Sequence, residues 1–247
     1  MDYIKYLNME NAEIPPDIVT ALAAPGANTP LVFEEKNKLL SVPELQKETG
    51  FVKMENGNYL ISMCVEMPGV TADMANWWFW WHPLEADRYK LWYPGEHFDI
   101  SYAKKDAPYF QQKKMPEFRQ NTQYPVERIG GLKMPLSISF VTPEEFGYDK
   151  TLMEENNVAT IICGHVGALK GRIQHTEMSH IFFQREDGLF MVSRFWMGKR
   201  AKNPLVRKAM LTDASAKGMA EHCYVEYTNF ARKVPGLYKE YLKEVAR

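Results

Sequence analysis

Cysteine is scarce: Cys64, Cys163 and Cys223 are the three in 247 residues. Three thiols so far apart build neither a disulfide framework nor a zinc-finger set. Net charge is nearly absent as well, at −1 from 30 basic and 31 acidic side chains. A nucleic-acid binder needs a basic face to displace counterions, so that class is set aside. No apolar run approaches the roughly 18 residues of a membrane span. The densest, WWFWW at 77–81, is far too short. The opening residues MDYIKYLNMENAEIPP carry no basic-then-apolar signal pattern, so the expected setting is cytoplasmic, with no membrane partner. Dinucleotide and P-loop phosphate sites lack their glycine motifs, G-x-G-x-x-G and G-x-x-x-x-G-K-[ST]. The nucleophile elbow G-x-S-x-G and the zinc motif H-E-x-x-H are missing too. Gly164-His165-Val166-Gly167 has only one Gly-x-x-Gly spacing, in a strand, and reads as tight packing.

What is present suits a globular core. Hydrophobic residues make up 45% of the chain and charged ones 25%, ample apolar material for one large domain. Residues 1–50 differ from the rest, punctuated by Pro15-Pro16, Pro25-Gly26 and Pro30. They read as an N-terminal arm or small dimerisation subdomain, with a short helix near 42–48. Arms of this kind exchange between protomers, which makes a homodimer the expected state.

Residues 51–247 form the second unit. From residue 57 the hydrophobic period is two. Tyr59–Val65 alternates after an Asn-Gly turn, Leu136–Val141 alternates again, and 158–166 (VATIICGHV) reads as a buried strand. Ser179–Gln184 and Leu189–Trp196 form a hairpin around Arg185-Glu186-Asp187-Gly188. Alternation puts His180 on the face of Phe182, opposite Ile181 and Phe183. A long helix then starts at Thr212-Asp213, with a break expected at Pro235-Gly236. Antiparallel strands followed by a long C-terminal helix give an α+β fold. A curved sheet gripping that helix, the helix-grip arrangement, leaves a small-molecule pocket between them.

His222 and Glu226 stand at i and i+4 on this helix, one turn apart on one side. An imidazole nitrogen and a carboxylate so placed can share a divalent metal. An exposed His–Glu pair is the commoner outcome of that spacing, but Met219, Tyr224, Tyr227 and Phe230 around it mark a mostly buried helix. Further ligands must come from His82, His97, His165, His175 or His180 and from carboxylates elsewhere. Trp77, Trp78, Trp80, Trp81, Tyr89, Trp92 and Tyr93 crowd one stretch. Such a set packs a core or lines a pocket for a flat ligand.

Four blocks carry a resemblance. WWFWWHPLEADRYKLWYPGEH, YPVERIGG, HIFFQREDGLFMVSRFWMG and EHCYVEYTNFARKVPGLY follow one another over roughly residues 70–240. In this order they resemble the 2,4-diacetylphloroglucinol hydrolases and phloretin hydrolases. The resemblance implies a fold like START and birch-pollen-allergen proteins and a zinc ion on two His and two Glu. Carried over, these are His97, Glu127, His222 and Glu226. It implies substrate contact by Tyr89 and an acid/base role for His180, with His165 the alternative. Trp92 joins the substrate wall. A further substrate-contacting Tyr falls on Phe195, a departure that removes a hydroxyl. The implied activity is hydrolysis of the C–C bond between an acyl group and a phenolic ring, on a small phenolic ketone. Two other readings stay open: a metal-free carrier of flat phenolic or lipid ligands, and an aromatic polyketide cyclase or hydratase on the same fold.

Overall fold

The computed structural model describes residues 3–26, 28–117 and 120–246. The alternating stretches fold into strands: β1 (Gly50–Lys53), β2 (Tyr59–Pro68), β3 (His97–Asp99), β4 (Asn121–Gln123), β5 (Val126–Ile129), β6 (Leu132–Val141), β7 (Val158–Ala168), β8 (Ile173–Gln184) and β9 (Gly188–Met197). They form one antiparallel sheet in the order β1-β2-β9-β8-β7-β6-β5-β3, with β4 also paired to β6. The expected hairpin is β8–β9, in the register Gln184↔Leu189. Gly164 and Gly167 serve close packing: a Cβ on either would lie 2.5 Å from the Ser139 carbonyl oxygen or 2.2 Å from that of Ile173.

The sheet is apolar on both faces, which is why β8 and β9 read as nearly continuous hydrophobic runs. On one face Met178, Phe182, Met191 and Phe195 meet the C-terminal helix. On the other, Ile161, Cys163, Ile181, Val192 and Trp196 are covered by Leu31, Leu39, Leu40 and Leu45 of the N-terminal segment. Trp196 Nε1 donates to the Leu31 carbonyl at 2.9 Å, and the buried Arg194 donates to that of Leu45. The short helix expected near 42–48 is Pro43–Gln46.

The C-terminal helix, Asp213–Val245, is capped by Thr212, whose hydroxyl accepts from the Ser215 N–H. Its buried stripe runs Ala216, Ala220, Cys223, Tyr227, Phe230, Val234 and Leu237, the spacing of one helical face. The break expected at Pro235-Gly236 does not occur, and the helix continues to Val245. Proline costs one intrahelical hydrogen bond. Here Val234 and Leu237 are fully buried on either side of it. Tyr6 also packs so closely on Gly236 that a Cβ there would lie 2.7 Å from its hydroxyl. Tertiary packing therefore overrides the local signal. Trp77, Trp78, Trp80 and Trp81 occupy a second helix, Ala72–Trp81, where Trp77 stacks on Trp81 at 4.7 Å and meets Tyr238 at 5.1 Å.

Where the C-terminal helix crosses the β5–β6 turn, Gly218 faces Gly130. A Cβ on Gly218 would lie 2.6 Å from the Gly130 Cα. Both partners are backbone, so neither can rotate away. Gly218→Ala is expected to lower unfolding free energy by about 1–3 kcal/mol, the usual cost of overpacking. Denaturant unfolding monitored by tryptophan fluorescence checks this, and an unchanged midpoint would contradict the close crossing.

Candidate active site

Strand pairing and helical spacing together build the site. The β3–β5 register sets His97 opposite Glu127. The helix contributes His222 and Glu226 from consecutive turns. The four side chains meet in the interior: His97 Nε2 is 3.3 Å from His222 Nε2 and 3.6 Å from Glu226 Oε1. His222 Nε2 is 3.0 Å from Glu127 Oε2. Ligand atoms of His97, His222 and Glu226 all lie within 4.8 Å of one another. Glu127 stands beside that trio, its second oxygen accepting from the Tyr89 hydroxyl at 2.9 Å.

Both imidazoles are held from behind. His97 Nδ1 lies 3.3 Å from the Tyr89 carbonyl, and His222 makes a backbone hydrogen bond to Arg128. A ring N–H donated to a carbonyl leaves the opposite nitrogen's lone pair free, the usual support of a metal-ligating histidine. The Tyr89 ring stacks on His97 at 4.1 Å, with the planes 10° apart. Trp92 Nε1 donates to the Glu226 carbonyl at 2.9 Å and ties the helix to the same corner.

Electrostatics single out this cluster. Burial pushes Glu226 up to about 8, and the neighbouring Glu127 charge adds to the effect. Burial also works against Glu127, but the hydrogen bond and charge of His222 hold it at about 2. His222 is raised despite its own burial, because Glu127 and Glu226 face it. Burial drives His97 down to about 3. Two carboxylates in one apolar pocket cannot both ionise without a cation between or beside them. Two imidazole nitrogens and carboxylate oxygens are a donor set for a divalent metal, so the residues present fit one.

A cavity of about 550 Å³, measured out to its mouth, opens over the cluster. Phe79, Trp92, Phe140, Phe195 and Tyr227 give it aromatic walls. His180 lines it, with Nδ1 2.9 Å from the Ser193 hydroxyl. Its ring lies against Tyr227 at 4.6 Å and Phe195 at 5.6 Å. Burial drives it down to about 3, so it is uncharged at neutral pH. That is lower than the near-neutral value that suits an acid/base histidine. His165 points to the other face of the sheet, where it pairs with Glu177 at 2.5 Å beside Arg200.

Sequence reasoning did not single out Tyr227 or Gln123 for the site and left His82 only among the candidate histidines, and all three line the cavity. Tyr227 was legible as the residue one helical turn after Cys223 on the buried stripe. His82 hydrogen-bonds the Trp78 carbonyl at 2.7 Å and stacks on Tyr89 at 5.5 Å. Gln123 donates to the Phe79 carbonyl at 3.0 Å. Nothing in its local sequence marks Gln123.

Residues 31–239 match the family model described as the DAPG hydrolase PhiG domain. Phloretin hydrolase of Eubacterium ramulus is 30% identical, over 97% of this chain and 90% of that protein. The 2,4-diacetylphloroglucinol hydrolase of Pseudomonas protegens is 29% identical, over 85% of this chain and 73% of that protein. Among solved structures, protein SA2116 of Staphylococcus aureus, of unknown function, overlaps with a TM-score of 0.42 at 10% identity. That overlap covers 74% of this chain and 98% of the other.

The buried histidines set a pH dependence. His82, His97 and His180 are each pushed by burial to about 3, and His175 to about 4. An unfolded histidine titrates near 6.5. Between these values the unfolded chain binds more protons, so stability falls as pH drops from about 7 toward 4. Glu226, raised to about 8, and His222, also raised, oppose this, but these two groups face four. Thermal unfolding midpoints across pH 7 to 4 are expected to decline steadily. A flat profile would contradict neutral burial of these rings.

Proposed function

The chain belongs to the DAPG hydrolase family, and from that premise we propose that it hydrolyses the bond between an acyl carbon and a phloroglucinol-type ring, with zinc as its resident metal. The observation that carries this reading is the meeting of His97, Glu127, His222 and Glu226 beneath an aromatic cavity, with His180 on its wall.

The reaction adds water across a C–C bond. Hydroxide equivalents go to the acyl carbon, giving a carboxylic acid, and a proton goes to the ring carbon. An aryl carbanion is a poor leaving group. Protonation of the acyl-bearing ring carbon gives a keto tautomer, and on C–C cleavage the bonding electrons enter a ring enolate that re-aromatises.

His97, Glu127, His222 and Glu226 would hold the zinc. When bound, it supplies Lewis acidity to an oxygen ligand. Tyr89, raised well above its ordinary value by burial and the nearby carboxylates, keeps its proton and serves as a hydroxyl contact for the ring. His180 is in its proton-accepting form. It takes a proton from the attacking water and returns it to the ring oxygen of the departing enolate, whose own proton went to the ring carbon on tautomerisation, a role general acid/base groups fill at roughly 10²–10⁴-fold in rate. Ser193 fixes its ring orientation. Trp92, Phe195 and Tyr227 flank the ring and exclude bulk water. The homodimer expected from the N-terminal arm stays part of this proposal, checked by solution mass of the full chain.

Two substitutions separate the roles. Purified wild type is expected to hold about one zinc per chain by elemental analysis, and His222→Ala to lose it. His180→Ala is expected to keep the metal and lose acylphloroglucinol cleavage by roughly 10²-fold or more. Full activity in a folded His180→Ala protein would sink the acid/base assignment. A wild type that takes up no metal from added zinc would favour a metal-free carrier of flat phenols.

A further inference from the structure

A second chamber adjoins the first. It encloses about 1280 Å³ out to its mouth, between β5–β8 and the start of the C-terminal helix. Three segments frame it: the β5–β6 turn, the β7–β8 turn and the short helix Pro204–Met210. Each holds a leucine out in solvent. Leu132, Leu169 and Leu205 are 68%, 62% and 77% exposed, three of the four most exposed large apolar side chains among the described residues. Single exposed leucines are ordinary. These three share one rim, since Leu132 lines the chamber and Leu169 and Leu205 are chain neighbours of the lining residues Ala168 and Val206.

The rim is also basic. Residues 130–136, 166–175 and 201–210 contain six Lys and Arg and no Asp or Glu, in a chain of net charge −1. Lys133, Lys170, Arg172, Lys202 and Lys208 are exposed, and among the described residues none of them pairs with a carboxylate. The sixth, Arg207, braces the short helix by donating to the Gly198 and Ala201 carbonyls at 3.0 and 3.4 Å. Asn203 caps the same helix, so Leu205 is displayed from an anchored element. In the β7–β8 turn, Leu169 and Lys170 stand at φ of +52° and +56°. Side chains disfavour this left-handed backbone. Strain of this kind persists where the surrounding structure imposes it, and it points to a role for the turn.

From these features we infer that this rim docks on the surface of an anionic bilayer, with Leu132, Leu169 and Leu205 at the acyl boundary and the surrounding Lys and Arg side chains at the level of the phosphates. Apolar tips among cations match that boundary. The leucines gain by leaving water, and each basic side chain is drawn to the negative surface. The long lysine and arginine stems lie along apolar surface while their charged heads stay among the headgroups. Other occupants fit less well. A second copy meeting this face through a two-fold axis would set five cations against five. A nucleic acid would press the three leucines against phosphates, and no Phe, Tyr or Trp lies in the three segments to stack on a base. The sequence reading expected no membrane partner, and no helix among the described residues is long and apolar enough to cross a membrane. Three leucines on separate segments form no apolar run, so surface docking leaves no trace in hydropathy along the chain. The docking needs neither metal nor turnover and stands apart from the hydrolase reading.

The test is co-sedimentation of the full chain with vesicles of phosphatidylcholine alone and of phosphatidylcholine mixed with phosphatidylserine, beside solution mass without vesicles. Two double variants separate the contributions. Lys170→Glu with Arg172→Glu reverses charge at the rim. Leu169→Asn with Leu205→Asn removes two apolar tips at constant charge, and asparagine tolerates the left-handed backbone at 169. All four positions are exposed, so both variants are expected to fold. Wild type is expected to bind the mixed vesicles, roughly tenfold or more tightly than phosphatidylcholine alone, and to be released by salt. Each double variant is expected to lose roughly tenfold in binding to the mixed vesicles. Wild type that ignores the mixed vesicles overturns the docking, and a solution mass that the leucine variant lowers assigns the rim to a second copy instead. Binding that survives both variants places the contact on another face and overturns it as well. Binding lost only on charge reversal overturns the seating of the leucines, because simple charge attraction then accounts for the whole effect.

Discussion

Two carboxylates, Glu127 and Glu226, share one apolar pocket, and much of the chain is arranged around that charge. Glu127 is buried, and its oxygens are taken up by Tyr89 and His222. Glu226 has His97 at 3.6 Å and His222 within 4.8 Å, and burial pushes its proton affinity up to about 8. A lone ionised carboxylate in such surroundings is costly. A cation held here would relieve that cost and would couple its binding to the stability of the corner.

The linkage explains the dense packing around the cluster. Tyr89 supports it three ways, by stacking on His97, by offering its carbonyl to the same ring and by donating to Glu127. Trp92 locks the helical backbone at Glu226. His82 stacks behind Tyr89 and is fixed in turn by the tryptophan helix. A donor set so held would lose little freedom on taking up an ion, the general advantage of preorganisation. The aromatic run therefore does two jobs. Trp77 and Trp81 fill the core against the C-terminal helix, while Phe79 and Trp92 face the cavity.

What the sequence made legible follows the range of each interaction. Period-two strands, the β8–β9 hairpin and the C-terminal helix are local patterns and are read directly. His222 and Glu226 are also local, one helical turn apart. His97 and Glu127 are thirty residues apart and meet only through the β3–β5 register, so no spacing rule finds them. Only the resemblance named them. Pro235 misled because a local rule competed with packing on Val234, Leu237 and Tyr6. Strands apolar on both faces hide which face is the cavity. The answer lies in which residues the N-terminal segment covers: Cys163 and Ile181 go under it, so Phe182 and His180 go the other way.

That same segment shows why a sheet buried on both sides suits this site. Leu31, Leu39, Leu40 and Leu45 seal the outer face, which leaves the inner face free to spend apolar surface on open space rather than on a filled core. Cavities lose contact energy with every missing neighbour. Chambers of about 550 and 1280 Å³ beside one helix would weaken a sheet held from one side only. With the outer layer in place, β8 and β9 are anchored through Arg194 and Trp196, two side chains that reach away from the cavity. Phe195 between them points inward and lines both cavities. Strand alternation thus assigns anchoring to one face and the ligand wall to the other within three consecutive residues. A substitution at 195 can retune the wall while its neighbours keep the strand in place.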